Sequence, residues 1–522
     1  MRILSAAQMR EVDFLTTAEH GVRGGELMQR AAAALLARLE RDFPRSLAGR
    51  IGILCGGGNN GGDGMVLARL LHERRVDARC YLFAPRARLR GDAAAALAAL
   101  ASAPLGVESE ADWTRRRDEV FGCDLLVDAL FGTGLVRPLR GWLAGVVQDL
   151  NAGYSGPVLA VDIPSGMNAD GEGPAEGAGA AVVRARATVT FTAPKRGLYL
   201  SRHAAQAVGA LTVARIGSPD ELVAACGPHL NLTTPADCRP LLGPRALDAH
   251  KGRFGHVLVL GGSVGKSGAV ALAATAALRT GAGLVTAAVP ATILPLVAGA
   301  RAELMTEPLP ETAAGALDGA ALPAEALRRL LQPATVLALG PGLSQAPESA
   351  ALARDLVAHA AIPCVLDADG LNAFAGRLAE LRLPQGVLTP HPGEMARLFG
   401  VPTDAVQARR LYYVQRLAAE TGAIAVLKGQ FTLVADPDGH AFVNPTGNPG
   451  MATAGAGDVL TGIVAGLLAQ FPAAPRLQVA AAAVYLHGRA GDAAAARTGE
   501  MSLIAGDITA ALPAAMLETR TR

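Results

Sequence analysis

IGILCGGGNNGGDGMVLARLLHERR, residues 51–75, decides the fold class. The run IGILC is too short for a helix and carries no polar residue, so it reads as a strand buried on both faces. MVLARLLHERR, residues 65–75, has helical spacing. Strand, glycine-rich loop and helix in succession form the repeating unit of a parallel α/β sheet. In the loop CGGGNNGGDG, glycine lets backbone approach a ligand closely, and a helix N-terminus offers free N–H groups to an anion. The dinucleotide pattern GxGxxG is not met, because Asn59 and Asn60 occupy the centre. Two amides and Asp63 can instead orient polar groups or give oxygens to a cation. A tight turn is the simpler alternative, but six glycines in ten residues exceed what one turn needs.

Outward from this unit the alternation continues. Residues 5–40 read as helix, opened by a Ser5 cap, and further strands are expected at 78–84, 124–132, 157–166 and 187–193. Periodicity fades over 217–250, which is rich in Pro, Gly and polar residues, so the chain is expected to divide into domains 1–225 and 226–522. A second α/β series follows, with strands at 256–260, 283–289, 335–340, 363–369, 386–390 and 423–429. The 21 uncharged residues between Arg279 and Arg301 contain Pro290 and Pro295, and read as strand, loop and short helix rather than a membrane span.

Composition removes several function classes. Charged residues are 18% and hydrophobic residues 51%, a globular balance, and a net charge of +2 makes no case for nucleic acid or a membrane surface. With aromatics at 4%, base-stacking platforms are not expected. None of the six cysteines has CxxC spacing, so neither a zinc site nor a redox motif is expected. MRILSAAQMREVD lacks a long apolar core, so no signal peptide is expected and the cytoplasm is the expected compartment.

Other strand-end loops carry polar residues. VDALFGTGLVRP (127–138) and VDIPSGMNADG (161–171) each end an apolar strand on an aspartate, Asp128 and Asp162. Ligands of open parallel sheets bind at the carboxyl ends of strands, so both are expected to face one crevice with Asn60. In the second half, GGSVGKSG (261–268) is one residue short of a phosphate-binding P-loop, which leaves Lys266 on an expected solvated loop. NPGMATAGAGDVLTGIVAG (448–466) is the strongest signal: Gly455 to Gly457 lead into an apolar helix with Asp458 at its start. Backbone N–H groups there can hold a phosphoryl group, and Asp458 can take a proton from a hydroxyl. A plain helix cap is the competing role of Asp458. LKGQFT (427–432) places Lys428 and Thr432 at a strand-end turn, and TPHPGE (389–394) fixes His391 between prolines.

These motifs resemble a known pair of families. With GGGNNGGDG, DALFGTGL and DIPSG, residues 1–215 resemble the NAD(P)H-hydrate epimerases. With HKGRFGHVLVLGGS, HPGE, VLKGQFT and NPGMATAGAGD in order, residues 230–515 resemble the ADP/ATP-dependent NAD(P)H-hydrate dehydratases of the ribokinase-like superfamily. The whole chain resembles bacterial repair enzymes that carry both. Lys266, where the family often shows Met, is a departure.

The resemblance implies an N-terminal Rossmann-like parallel-sheet sandwich and a C-terminal ribokinase-like α/β domain. It implies interconversion of the R and S hydrates of NADH and NADPH by the first, and dehydration of the S form by the second, with ADP becoming AMP and phosphate. The epimerase substrate would meet Asn59, Asn60, Gly61, Gly62, Asp63, Gly132, Thr133, Gly134, Leu135, Val136, Arg137, Pro138 and Asp162, with Asp162 as acid/base. Asn60, Asp128 and Ser165 would bind potassium. In the dehydratase, Ala269, Gly342, His391 and Asp458 would meet the hydrate, with Asp458 catalytic. Lys428, Gly429, Gln430, Phe431, Thr432 and Gly457 would meet the nucleotide, which brings Mg²⁺. Relatives assemble through the dehydratase half, which implies a homo-oligomer, up to a tetramer. Two rivals predict other outcomes: a small-molecule kinase would leave a stable phosphorylated product, and a non-catalytic N-terminal scaffold would leave the R hydrate untouched.

Overall fold

The computed structural model describes residues 1–172, 180–226 and 229–521. The chain divides into two compact units, Met1–Pro228 and His229–Arg522. Among the described residues the first holds seven strands: β1 Arg50–Cys55, β2 Asp77–Leu82, β3 Leu105–Gly106, β4 Leu125–Ala129, β5 Val158–Val161, β6 Ala187–Phe191 and β7 Ala210–Ala214. All pair in parallel, in the order β3-β2-β1-β4-β5-β6-β7. The chain reverses its direction of winding between β1 and β4, and the crevice at such a switch point, beyond the carboxyl ends of the strands, is where open sheets bind ligands. The central strands β4, β5 and β6 are buried throughout, as helices on both faces require.

The second unit holds ten: β8 Leu230–Leu232, β9 His256–Leu260, β10 Leu284–Pro290, β11 Met305–Leu309, β12 Val336–Leu339, β13 Cys364–Leu366, β14 Val387–Leu388, β15 Ile424–Leu427, β16 Leu433–Ala435 and β17 Ala441–Val443. Their order is β11-β10-β9-β12-β13-β14-β15-β16-β17-β8. Strands β9 to β15 are parallel, with a switch point between β9 and β12, and β16 joins β15 and β17 antiparallel. The helices Ser267–Thr280, Ala456–Gln470 and Arg476–Thr498 supply much of one core, dominated by Ala, Val and Leu. Among the described residues no helix is long and apolar enough to cross a membrane.

Two local expectations are corrected. The helix expected over 5–40 is two, Ala6–Ala18 and Gly24–Asp42. Gly21, with φ 68°, takes the left-handed conformation between them. The Ser5 cap is present, as a capping box with Gln8. The glycine-rich loop is also shorter than expected, because the helix Asn59–Glu73 already begins within it, capped by Gly58. A Cβ at Gly61 would collide with the Gly56 carbonyl, so this first turn lies against the end of β1 in a way only glycine permits.

Candidate functional site

In the first unit a cavity of about 760 Å³ opens at the switch point. Asn59, Asn60 and Asp63 line it from the first turn after β1, Gly132 to Leu135 from the loop after β4, and Asp162 from the loop after β5. Gly61 and Gly62 are buried behind this lining, and Val136, Arg137 and Pro138 do not reach it. Asp162 sits at φ 65°, in the left-handed region where a non-glycine residue is strained. Its Oδ1 accepts from Thr190 Oγ1 at 3.0 Å, from Phe191 N at 3.2 Å and from the Lys195 ammonium. Lys195 is 1% exposed and also donates to Thr190 Oγ1 and to the Phe191 carbonyl. The sequence reading passed over Lys195, although TAPK just beyond an apolar strand is the signal that exposed Asp162.

Asp63 and Asp13 face the same charges. Burial pushes the Asp63 carboxyl well above the usual range, Asp162 adds to the shift and Lys195 opposes it. Burial raises Asp13 to about 6, with Lys195 opposing and Asp162 adding.

Beneath the cavity, Asp128 is fully buried. It accepts from Ser165 Oγ at 2.6 Å and from Ser165 N at 2.8 Å, and Ser165 Oγ accepts from Phe131 N at 2.8 Å. Burial nevertheless raises the Asp128 carboxyl to about 6, since no cationic side chain among the described residues pairs with it. Among the described residues the buried Asn60 Nδ2 has no hydrogen-bond partner; as a donor it is no cation ligand. The Asp128 carboxylate, the Ser165 hydroxyl oxygen and the Asn60 amide oxygen are hard oxygen donors, and the carboxylate lacks a cationic partner, which fits a monovalent cation.

In the second unit the strand ends gather a denser cluster. Lys428, after β15, is 2.7 Å from Asp367 Oδ1 and 3.8 Å from Glu394 Oε2. Burial works against its charge, but Asp367 and Glu394 outweigh burial and hold the ammonium above its ordinary range. Thr461 Oγ1 donates to Asp367 Oδ2 at 2.6 Å. Asp369 accepts from Lys266 Nζ and Ser344 N, each at 3.0 Å, and from Asn372 Nδ2 at 3.2 Å. The loop is solvated as expected, and Lys266 on it, half-exposed, reaches across to an acid after β13. Its loop packs on the one after β12, where a Cβ at Gly342 would press on the Lys266 carbonyl and the Ala269 methyl.

Asp458 is the third position of the helix Ala456–Gln470, whose N-cap is Gly455 at φ 86°. The capping role fails, because no hydrogen bond among the described residues holds its carboxylate. Burial raises it to about 7, with Asp367 adding and Lys428 opposing. A Cβ at Gly457 would stand 3.4 Å from Lys428 Nζ, so the bare helix N-terminus lies beside the ammonium. His391 caps the helix Pro392–Phe399, its Nδ1 accepting from Gly393 N at 3.0 Å and Glu394 N at 3.3 Å. Burial and then Lys428 lower its basicity, so the neutral ring carries its proton on Nε2. Thr432 Oγ1 donates to the Gly429 carbonyl, and the Gln430 carbonyl accepts from Arg410. Phe431, at φ 49°, completes this tight connection between β15 and β16.

Residues 257–514 match the family described as NAD(P)H-hydrate dehydratase, and residues 24–197 match the YjeF-related protein N-terminus. The bifunctional NAD(P)H-hydrate repair enzyme of Moorella thermoacetica is 44% identical over 98% of this chain and 96% of its own. That of Coxiella burnetii is 40% identical over 96% of each. The crystal structure of ADP/ATP-dependent NAD(P)H-hydrate dehydratase from Bacillus subtilis with ATP/Mg²⁺ is 31% identical, covers 55% of this chain and 98% of that one, and has a TM-score of 0.47. The first unit is a Rossmann-like sandwich by its strand order, the second an α/β domain on a mostly parallel sheet, and the chain belongs to the family of bifunctional NAD(P)H-hydrate repair enzymes.

Proposed function

We propose that the chain repairs hydrated NADH and NADPH in two steps, one in each unit. Its membership of a family that spans both units, with a polar site at each switch point, carries this reading. In the first unit Asn59, Asn60, Asp63, Gly132 to Leu135 and Asp162, which line the cavity, bind the hydrate. Asp162 moves the proton of the C6 hydroxyl as the carbinolamine opens and recloses, with Lys195 stabilising the carboxylate. Asn60, Asp128 and Ser165 would hold potassium, which would supply the positive charge that Asp128 lacks.

In the second unit Ala269, Gly342, His391 and Asp458 bind the S hydrate, and Lys428 to Thr432 with Gly457 bind ADP. Hydroxide is a poor leaving group, whereas phosphate is a good one. Asp458 accepts the hydroxyl proton as the oxygen attacks the β-phosphorus and AMP departs. The N–H groups of the turn at Gly455 to Gly457 hold the transferring phosphoryl group. Phosphate then leaves C6 with its bonding electrons, and loss of a C5 proton restores the C5=C6 double bond. Four carboxyls, of Asp367, Asp369, Glu394 and Asp458, face two ammoniums, of Lys266 and Lys428, an excess of negative charge that suits Mg²⁺ arriving with the nucleotide. Mg²⁺ neutralises phosphate charge there. We place this activity in the cytoplasm, in a homo-oligomer of up to four chains.

The test is recovery of reduced-nicotinamide absorbance from a mixed R/S hydrate, with ADP or ATP, Mg²⁺ and K⁺. Complete recovery faster than spontaneous epimerisation, with inorganic phosphate released, supports both activities. Recovery that stops at the S fraction removes the epimerase, and a stable phosphorylated product replaces repair by a kinase. Replacing K⁺ with Na⁺ is expected to slow epimerisation alone.

A further inference from the structure

Asp13 belongs to none of the motifs that mark the first site. It lies on the helix Ala6–Ala18, upstream of the matched stretch 24–197. That helix is anchored at its start by the Ser5 capping box and by Ala6 N donating to Asp170 Oδ1 at 2.8 Å. Val12, next to Asp13, is fully buried, which fixes the helix face. Asp13 itself lines the 760 Å³ cavity, together with Asp63, Asp162 and Lys195. Arg10 and Asp92 are the other charged residues of that lining.

The three carboxyls of this cluster are held differently. Asp162 Oδ1 takes three donors, among them the buried Lys195. Asp63 lies in the first turn of the helix Asn59–Glu73, where burial favours its neutral form. Asp13 is half-buried, and among the described residues no hydrogen bond or ion pair holds its carboxylate. A carboxyl that projects into a cavity without a partner, next to a paired one, can take and return a proton without breaking a structural contact. The second unit has the same layout: among the described residues Asp458 has no hydrogen-bond partner, beside the pair Asp367–Lys428.

We propose that Asp13 is a second proton-transfer residue of the first site, working opposite Asp162 on the hydrated nicotinamide ring. The proposal rests on the epimerase reading above. Opening needs two proton movements. Asp162 takes the C6 hydroxyl proton, the C6–N1 bond breaks with its electron pair going to N1, and protonated Asp13 gives N1 its proton. The product is an open-chain aldehyde and a neutral enamine nitrogen. After rotation about C5–C6, Asp13 removes the N1 proton, N1 attacks the other face of C6, and Asp162 returns its proton to the oxygen. No atom or charge is gained over the cycle. A carboxyl raised to about 6 by burial suits this exchange near neutral pH.

The experiment uses the full chain and follows R-to-S interconversion, with the dehydratase as internal control. In the unaltered enzyme, kcat/KM for epimerisation is expected to fall tenfold per pH unit above about 6, where Asp13 loses its proton. Asp13→Asn is expected to lower kcat by about 10²–10⁴-fold, with KM nearly unchanged, and to abolish the pH limb. Asp13→Glu is expected to restore the limb and part of the rate. Full activity in Asp13→Asn, an unchanged limb in that variant, or no limb in the unaltered enzyme overturns the proposal. The last outcome is readable even if Asp13→Asn does not fold. An unaltered enzyme that dehydrates the S form but never epimerises takes down the epimerase reading and the proposal with it, whereas epimerisation indifferent to Asp13 takes down the proposal alone.

Discussion

Both units place a lysine against a strand-end aspartate, the buried Lys195 with Asp162 and the half-buried Lys428 with Asp367, and beside each pair a further carboxyl has no hydrogen bond among the described residues. The surroundings differ. In the first unit the pair lies under a cavity at the end of β5 and β6, and the neighbouring groups are carboxyls and amides. In the second the pair meets the open N-terminus of an apolar helix at Gly455 to Gly457, with Lys266 held on the far side by Asp369. Under the proposed function the same ion pair would serve two chemistries. Where only protons move, carboxyls suffice. Where a phosphoryl group moves, backbone N–H donors and extra cationic charge join them.

Removing the lysines tests that likeness with the largest expected effect. Breaking a buried pair by deleting one partner leaves an uncompensated charge and costs about 3–5 kcal/mol. Lys195→Met should lower the stability of the first unit by that order and abolish epimerisation, as read by chemical denaturation and hydrate interconversion. Lys428→Met should cost less, because its side chain is 17% exposed against 1% for Lys195. Equal losses would mean that the two pairs are equally dry, and a Lys195→Met chain of full stability would make that lysine a substrate-binding group only.

Asp458→Asn separates the units next. Dehydration should fall about 10²–10⁴-fold, the usual contribution of a positioned base, while epimerisation by the same chain stays unchanged. The pH dependence gives the same residue a second reading. Its carboxyl titrates near 7 in the folded chain against an ordinary 3.8, so between about 4 and 7 the folded state holds a proton that the unfolded state has lost. Stability should therefore fall as pH rises across that window, and Asp458→Asn should flatten the slope. For dehydration the sign reverses: kcat/KM should rise through about 7, as the base form appears. A rate that falls there would make Asp458 an acid.

The parallel architecture was legible because apolar strands ending in glycine or aspartate leave a direct mark, as IGILC, LLVDA and VLAV do. The edges were not. β7 is nowhere fully buried and β11 is mostly exposed, while β16 and β17, inside the second sheet, are apolar but only three residues each, too short to stand out as runs. The helix Arg476–Thr498 was also passed over, since its alanine-rich sequence is buried on most sides and shows little amphipathic period. In the sites, residues on glycine-rich loops were legible. Lys195, Asp367 and Asp369 were not, although VLDADG ends a strand on an acid just as VDALFG does. Asp13 had no such signal: a lone acid in an amphipathic helix reads as solvated until the fold shows which cavity it lines.

His391 offers the finest test, because its two roles can be separated. The ring caps a helix through Nδ1, which is a structural task, and its Nε2–H is the group available to the hydrate. Asparagine is among the best residues at an N-cap, so His391→Asn should keep the helix and change stability by less than about 0.5 kcal/mol. What it removes is Nε2–H, 3.4 Å from Glu394 Oε1, of a ring whose basicity burial and Lys428 lower. If that nitrogen donates to the substrate, KM for dehydration should rise about tenfold, the worth of one hydrogen bond, with thermal unfolding unmoved. If His391 is a cap and nothing more, KM should stay put in His391→Asn, whereas His391→Ala should lose about 1 kcal/mol of stability. The first unit offers the comparison: Ser5 caps the helix that carries Asp13 and lies outside the cavity lining, so Ser5→Ala should cost stability alone.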